Sequence, residues 1–208
     1  MSIENNASPD LNQVLVEDYL ESVAGKSSTP GGGSVAAITG AQAAALMSMV
    51  CHYSKQSNEI QAILESATKA REVFLTLAQE DVLAFDALMK ALDQAKGSKD
   101  RAKNIQSAMM MAAAPPLKML TLCASMVDSI ITLETHGNTN LLTDLGMAAI
   151  LLSSCASSAE LNVLINLVRI EDEEYKQQVN SNISKFMRTI SSIENVAPNI
   201  RKSLLSRK

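Results

Sequence analysis

NEIQAILESATKAREVFLTLAQEDVLAFDALMKALDQA, residues 58–95, is the stretch whose reading decides the fold. Its apolar positions step by alternating threes and fours through Ile60, Ile63, Ala67, Ala70, Phe74, Leu77, Ala84, Leu88 and Ala91, the period of an amphipathic helix. One position breaks the seam. Asp81 stands where the spacing asks for an apolar side chain. A carboxylate buried there without a partner is costly, so it must be paired, protonated or turned toward a cavity. Desolvation would raise its pKa, as suits a general acid/base or a counter-ion to a cationic intermediate; an Asp satisfied inside the core by an Arg or a backbone donor is the plainer reading.

Outward from this segment the chain reads as more helix. Leu11, Val14, Leu15, Tyr19 and Leu20 share a face in a helix expected over about 10–24, capped by Asp10 and ended by Gly25. KSSTPGGGS, residues 26–34, is a glycine-rich loop that feeds a small-residue helix, VAAITGAQAAALMSMVCHYS. After Gly97-Ser98 a further helix runs from Lys99 to about Glu134, where Pro115-Pro116 predicts a kink or a restart. A polar turn at 135–140 precedes a nearly all-apolar helix over about 142–170, and an acidic turn at 171–174 opens a polar helix to about Ile193, before Pro198. The expectation is an all-α, single-domain bundle of about six helices with long, partly kinked central helices, spanning 1–208, with about nine N-terminal residues and the C-terminal tail flexible. No shift in composition marks a second domain.

Composition narrows the function. In 208 residues, aromatics at 3% disfavour a β-rich fold, and a net charge of -4 without a basic cluster argues against nucleic-acid partners. Cys51, Cys123 and Cys155 form no CxxC pair, and His52 and His136 lack a second ligand at metal spacing, so no metal is expected. The polar N-terminus lacks the pattern of a secretory signal, and a reducing cytoplasm is expected. Two apolar stretches, 35–50 and 145–170, read as core helices: the first is short for a span, and the second carries Glu160, Asn162 and Asn166.

Three further features carry polarity. Gly31, Gly32, Gly33 and Ser34 offer backbone N–H groups at a helix start, suited to a carboxylate, a phosphate or a polar ring edge, or else simply allow a sharp turn and tight packing. They match neither the phosphate-loop nor the dinucleotide pattern. Asn162 and Asn166 need matched donors and acceptors on a largely apolar helix, through a ligand or through interhelical bonds. Asp144, on the same face as Asn162, is a first-turn acid stabilised by the helix dipole or a functional group. The two lie 18 positions apart, roughly 27 Å on a straight helix. Either the helix breaks near Ser153-Ser154, or the ligand is elongated, or the residues serve different sites, across a dimer interface for instance.

Taken together, Thr29-Pro30-Gly31-Gly32-Gly33-Ser34-Val35-Ala36-Ala37, Glu80-Asp81 with Ala84-Phe85, Ala114-Pro115-Pro116-Leu117, Gly137-Asn138 with Asp144, and Asn162-Val163 with Ile165-Asn166-Leu167 resemble the cyclodeaminase/cyclohydrolase family over about 15–182. The resemblance implies an all-α homodimer that binds folate in a cleft near the glycine-rich turn. It implies one of two reactions: closure of 5-formiminotetrahydrofolate to 5,10-methenyltetrahydrofolate with loss of ammonia, or addition of water to the methenyl compound to give 10-formyltetrahydrofolate. A separate formiminotransferase partner would accompany the first. Neither reaction needs a metal or cofactor. Asp81 and Asp144 are then the implied catalytic acids, with Gly31, Gly32, Gly33, Ser34, Asn138, Asn162 and Asn166 binding substrate. A non-catalytic folate-binding or assembly module of the same dimeric fold is the alternative. Cys51-His52-Tyr53-Ser54-Lys55-Gln56 and Gln94-Ala95-Lys96 depart from the family pattern, which tends to carry Leu-Thr with Gly-Lys and Leu-Pro-Lys there.

Overall fold

Ser57 starts the longest helix by accepting a hydrogen bond from the Ile60 N–H at 3.1 Å. The computed structural model describes residues 10–94 and 96–206. Within it the chain forms α1 (Val16–Ala24), α2 (Gly32–His52), α3 (Asn58–Leu92), α4 (Arg101–Ser125), α5 (Val127–His136), α6 (Leu142–Leu167), α7 (Glu173–Ile190) and α8 (Val196–Ser206), with short 3-10 turns at Leu11–Gln13, Thr139–Leu141 and Ser191–Ile193. Among the described residues there is no strand. The seam of α3 packs as its spacing demands: Ile60, Ile63, Ala67, Ala70, Phe74, Leu77, Leu88 and Ala91 are all buried.

Helices α2, α3, α4 and α6 form a ring in which α2 lies between α3 and α6, and α4 closes the far side between the same two. Small residues let α2 and α3 come close. A Cβ on Gly40 would sit 2.6 Å from the Phe74 ring, so only glycine fits at this spacing. Around the ring, α7 packs mainly on α4, and α8 on α6.

Each of the six expected helical segments is helical, with differences at the joints. The first begins as a 3-10 turn, and its α-helical part starts at Val16 rather than at Asp10. The fourth neither stops nor restarts at the prolines: α4 runs unbroken through Pro115 and Pro116 and gives way at Met126. Pro116 cannot donate to the Ala112 carbonyl one turn back. That carbonyl instead accepts from the Asn166 side-chain amide of α6 at 3.4 Å, so an interhelical bond repairs the ladder. Pro198 falls inside α8 rather than beyond the last helix, in its first turn, where a missing N–H costs little. The C-terminal tail expected to be flexible is thus helical over 196–206, with Val196 and Ile200 buried; the N-terminal nine residues lie outside the described residues.

Three helical stretches, Gly32–His52, Arg101–His136 and Thr139–Leu167, are long and apolar enough to cross a membrane by length and composition. Here they build the ring and its immediate support, and α2 has about 61% of its most apolar stretch buried inside the protein.

Candidate functional site

The first turn of α2 and the middle of α3 meet at one end of the ring. The Gly33 backbone approaches α3 so closely that a Cβ there would occupy the place of the Asp81 carboxyl group. Burial pushes the Asp81 carboxyl up from its ordinary value of 3.8 to about 6, with the Ser34 backbone N–H pulling the other way. No Lys or Arg of the described residues is ion-paired with it. Its neighbour Glu80 points outward and takes Lys118 at 2.8 Å. A single step along the helix, about 100° of rotation, therefore separates a solvated, ion-paired acid from an inward one with no cation on it.

Ser34 is fully buried; its hydroxyl donates to the Gly31 carbonyl at 3.0 Å and lies 3.2 Å from the Tyr19 hydroxyl of α1. Burial raises the Tyr19 pKa, the bond to Ser34 lowers it, and the negative charge on Asp81 raises it further. The phenol thus stays a neutral hydroxyl within reach of the same corner.

A cavity of about 270 Å³ opens in front of Asp81. Ser28, Thr29 and Gly31 to Gly33 form one wall, Phe85, Leu88, Met109 and Ala112 supply an apolar floor, and Asn162, Ile165 and Asn166 at the C-terminal end of α6, with Arg169 just beyond it, close the third side. The Asn162 amide lies beside Gly32. Both asparagines turn their NH₂ groups back along α6, Asn162 to the Ser158 carbonyl at 2.8 Å and Asn166 to the Asn162 carbonyl at 2.9 Å. Asn166 thus combines an interhelical bond to the Ala112 carbonyl with a place in the cavity lining, whereas the Asn162 amide bonds only within α6 and lines the cavity beside it.

The glycine turn, Asp81, Asn162 and Asn166 are brought together; Asp144 and Asn138 are not. α6 is continuous through Ser153-Ser154, so Asp144 stays in its first turn, roughly 27 Å along the helix from Asn162. Asn138 caps the turn before α6, accepting from the Asn140 N–H at 2.9 Å and donating to the Tyr53 carbonyl at 2.6 Å. That places it at the far end of the 21-residue α2, roughly 30 Å from Gly32. The divergent segment 51–56 lies at that far end too.

Sequence reasoning missed Tyr19, Phe85 and Arg169 as parts of this corner. Tyr19 and Phe85 occupy ordinary apolar positions, and only the meeting of α1, α2 and α3 sets Tyr19 against Ser34 and puts Phe85 in the cavity wall. Arg169 follows the last turn of α6, and its position one turn beyond Ile165 and two beyond Asn162 is the available signal. Among the described residues no cluster of His, Cys, Asp and Glu could hold a metal ion. The thiols are buried, with Cys51 pushed up to about 11 by burial and Cys123 lying 3.6 Å from Cys155.

Residues 15–185 match the profile of a family described as formiminotransferase-cyclodeaminase. A methenyltetrahydrofolate cyclohydrolase of Methylorubrum extorquens is 32% identical over 174 residues, which is 78% of this chain and 84% of that protein. A formimidoyltransferase-cyclodeaminase of Sus scrofa is also 32% identical, over 81% of this chain but only 33% of that longer relative. Among solved structures, a formiminotetrahydrofolate cyclodeaminase from Thermotoga maritima superposes with a TM-score of 0.85 at 26% identity, covering 93% of this chain and 98% of its own.

Proposed function

This chain belongs to the formiminotransferase-cyclodeaminase family, and from that premise we propose that it acts on the one-carbon unit of a tetrahydrofolate, as cyclodeaminase or cyclohydrolase. The observation that carries the reading is a desolvated carboxylate, Asp81, facing a cavity beside the glycine turn with no cation paired to it among the described residues. A cationic, amidinium-like carbon between two nitrogens supplies the counter-charge that Asp81 does not receive from an ion pair among the described residues.

In the cyclodeaminase direction the folate N10 attacks the formimino carbon, the carbon–nitrogen bond to the formimino nitrogen breaks, and ammonia leaves with a proton. In the cyclohydrolase direction water adds to the methenyl carbon, loses a proton, and the bond to N5 breaks as N5 is protonated. Asp81 holds or accepts the moving proton in each case, and a pKa near 6 lets it do either near neutrality. The backbone of Gly32 and Gly33 gives a ring edge room to approach, and Asn162 and Asn166 line the opposite wall. Phe85, Leu88 and Met109 form the apolar floor on which a flat heterocycle rests. In this reading the protein uses no metal or nucleotide, works as a homodimer in the cytoplasm, and, as a cyclodeaminase, takes its substrate from a formiminotransferase.

Purified protein is expected to speed the loss of near-ultraviolet absorbance of methenyltetrahydrofolate, or the release of ammonia from 5-formiminotetrahydrofolate. Activity on the first alone identifies a cyclohydrolase and on the second a cyclodeaminase. Background rates with both would overturn the reading.

A further inference from the structure

Along α2, Gly33 meets Asp81 and Gly40 meets Phe74, so α2 and α3 run in opposite directions. α2 opposes α6 in the same way, with Gly32 against Asn162 at one end and Tyr53 bonded to Asn138 at the other. α3 and α6 therefore leave the glycine corner side by side, pointing the same way. Leu88 stands seven residues beyond Asp81, and Arg169 seven beyond Asn162; all four line the cavity. Seven residues turn a helix by about 700°, back to the same face, and carry it roughly 10 Å. Phe85 on α3 and Asn166 on α6 fall about halfway. The cavity is thus a trough about two helical turns long.

Its polarity is graded. Asp81 stands at the glycine corner, Phe85 and Met109 make the middle apolar, and Arg169 brings a cation to the far end. Arg169 is exposed and makes no ion pair among the described residues. Of the acids that follow it, Asp172 accepts from the Tyr175 N–H at 2.9 Å and Glu173 pairs with Lys176, while Glu171 and Glu174 are exposed and not paired with it. The backbone of Arg169 is held although its side chain is not. Gln106 of α4 donates to the Arg169 carbonyl at 3.1 Å and accepts from the Glu171 N–H at 2.9 Å, and the Arg169 N–H donates to the Asn166 carbonyl at 3.3 Å. One glutamine thus ties both sides of the arginine to the helix that supplies Met109. A guanidinium left unpaired on an anchored backbone is suited to a two-pronged grip on a carboxylate.

We infer that Arg169 is the specificity residue for the substrate's tail. It takes the glutamate carboxylate nearest the aminobenzoyl group, while the benzoyl ring lies along Phe85, Leu88 and Met109. This rests on the folate reading of the Asp81 cavity and adds the end of the ligand that reading leaves unplaced. In an extended tetrahydrofolate, ordinary bond lengths put the one-carbon centre and that carboxylate roughly 10 Å apart. The trough has the same length and the complementary order of charge: an acid for the cationic carbon, a guanidinium for the carboxylate. Gln106 is a positioning residue that acts through Arg169.

The test uses two ligands that need no turnover, 5-formyltetrahydrofolate and the methylamide of 5-formyltetrahydropteroate, which keeps the benzoyl amide and lacks the glutamate carboxylates. Titration calorimetry on the full chain is expected to show the first bound about tenfold more tightly. Arg169→Met, helical by circular dichroism, should lose that tenfold while binding the methylamide within about twofold of wild type, and Arg169→Lys should regain part of it. Gln106→Ala should weaken the tailed ligand alone and add nothing in the Arg169→Met background. In the folate assays the Arg169→Met loss should fall on KM, with kcat changed by less than about twofold. An Arg169→Met protein that keeps the wild-type preference, or that weakens both ligands equally, would overturn the inference and leave the folate reading standing. The expected binding pattern without turnover of either one-carbon substrate upholds the inference and removes the enzymatic reading instead. A wild type that binds neither ligand removes both.

Discussion

Asp81 and Glu80 are adjacent acids with opposite surroundings, and the difference is one of helical phase. Glu80 falls on the wet face and pairs with Lys118, whereas Asp81 falls on the seam and is desolvated. Asp81→Asn should retain the fold and lower turnover about 10²- to 10⁴-fold, the usual contribution of a positioned acid or base, as steady-state kinetics would show. The same change should alter stability with pH. A carboxyl raised from 3.8 to about 6 contributes fully to folding below pH 3.8 and loses that contribution as pH rises through 6. The ionised form therefore costs on the order of 2–3 kcal/mol at pH 8. Relative to wild type, Asp81→Asn should gain in urea midpoint at pH 8 and gain nothing at pH 3.5. Catalysis should follow the same group: kcat/KM inflects near pH 6, rising with pH if Asp81 takes a proton in the rate-limiting step and falling if it gives one. Gly33→Ala should cost activity too, since its Cβ would displace the carboxyl group from the glycine corner.

At the scale of elements, the fold depends on close approach in one place and on a repaired break in another. The α2–α3 contact at Gly40 leaves no space for a methyl group, so Gly40→Ala should force the Phe74 ring aside and destabilise by about 1–3 kcal/mol, read from chemical denaturation. In α4, Pro115-Pro116 announces a break by its covalent chemistry, yet the helix continues. The local rule concerns donors within one helix, while the repair comes from Asn166 on another. The break falls instead at Met126, which no proline or glycine marks. Asn166 was singled out in the sequence as a polar group needing partners; its partner was invisible there because the two positions lie 54 residues apart.

For the whole molecule, a ring of four helices has two ends, and the chain uses them differently. One end collects the glycine turn, Asp81, Asn162 and Asn166 around the cavity. The other ties Asn138 to Tyr53 and Ser54, so the divergent 51–56 segment adjusts packing about 30 Å from that cavity rather than chemistry inside it.

Helix period, the interrupted seam and the glycine-rich turn are properties of spacing along the chain, and spacing alone determined the all-α class, the helical segments and the acid out of register. The tertiary structure alone decided what lies opposite each of these residues. It set Asp81 against Gly33 without a cation, sent Asn166 to an orphaned carbonyl, and separated Asp144 and Asn138 from the cavity. The reason is physical: periodicity is a local property of one helix, whereas burial and pairing are shared between helices whose contacts lie tens of residues apart.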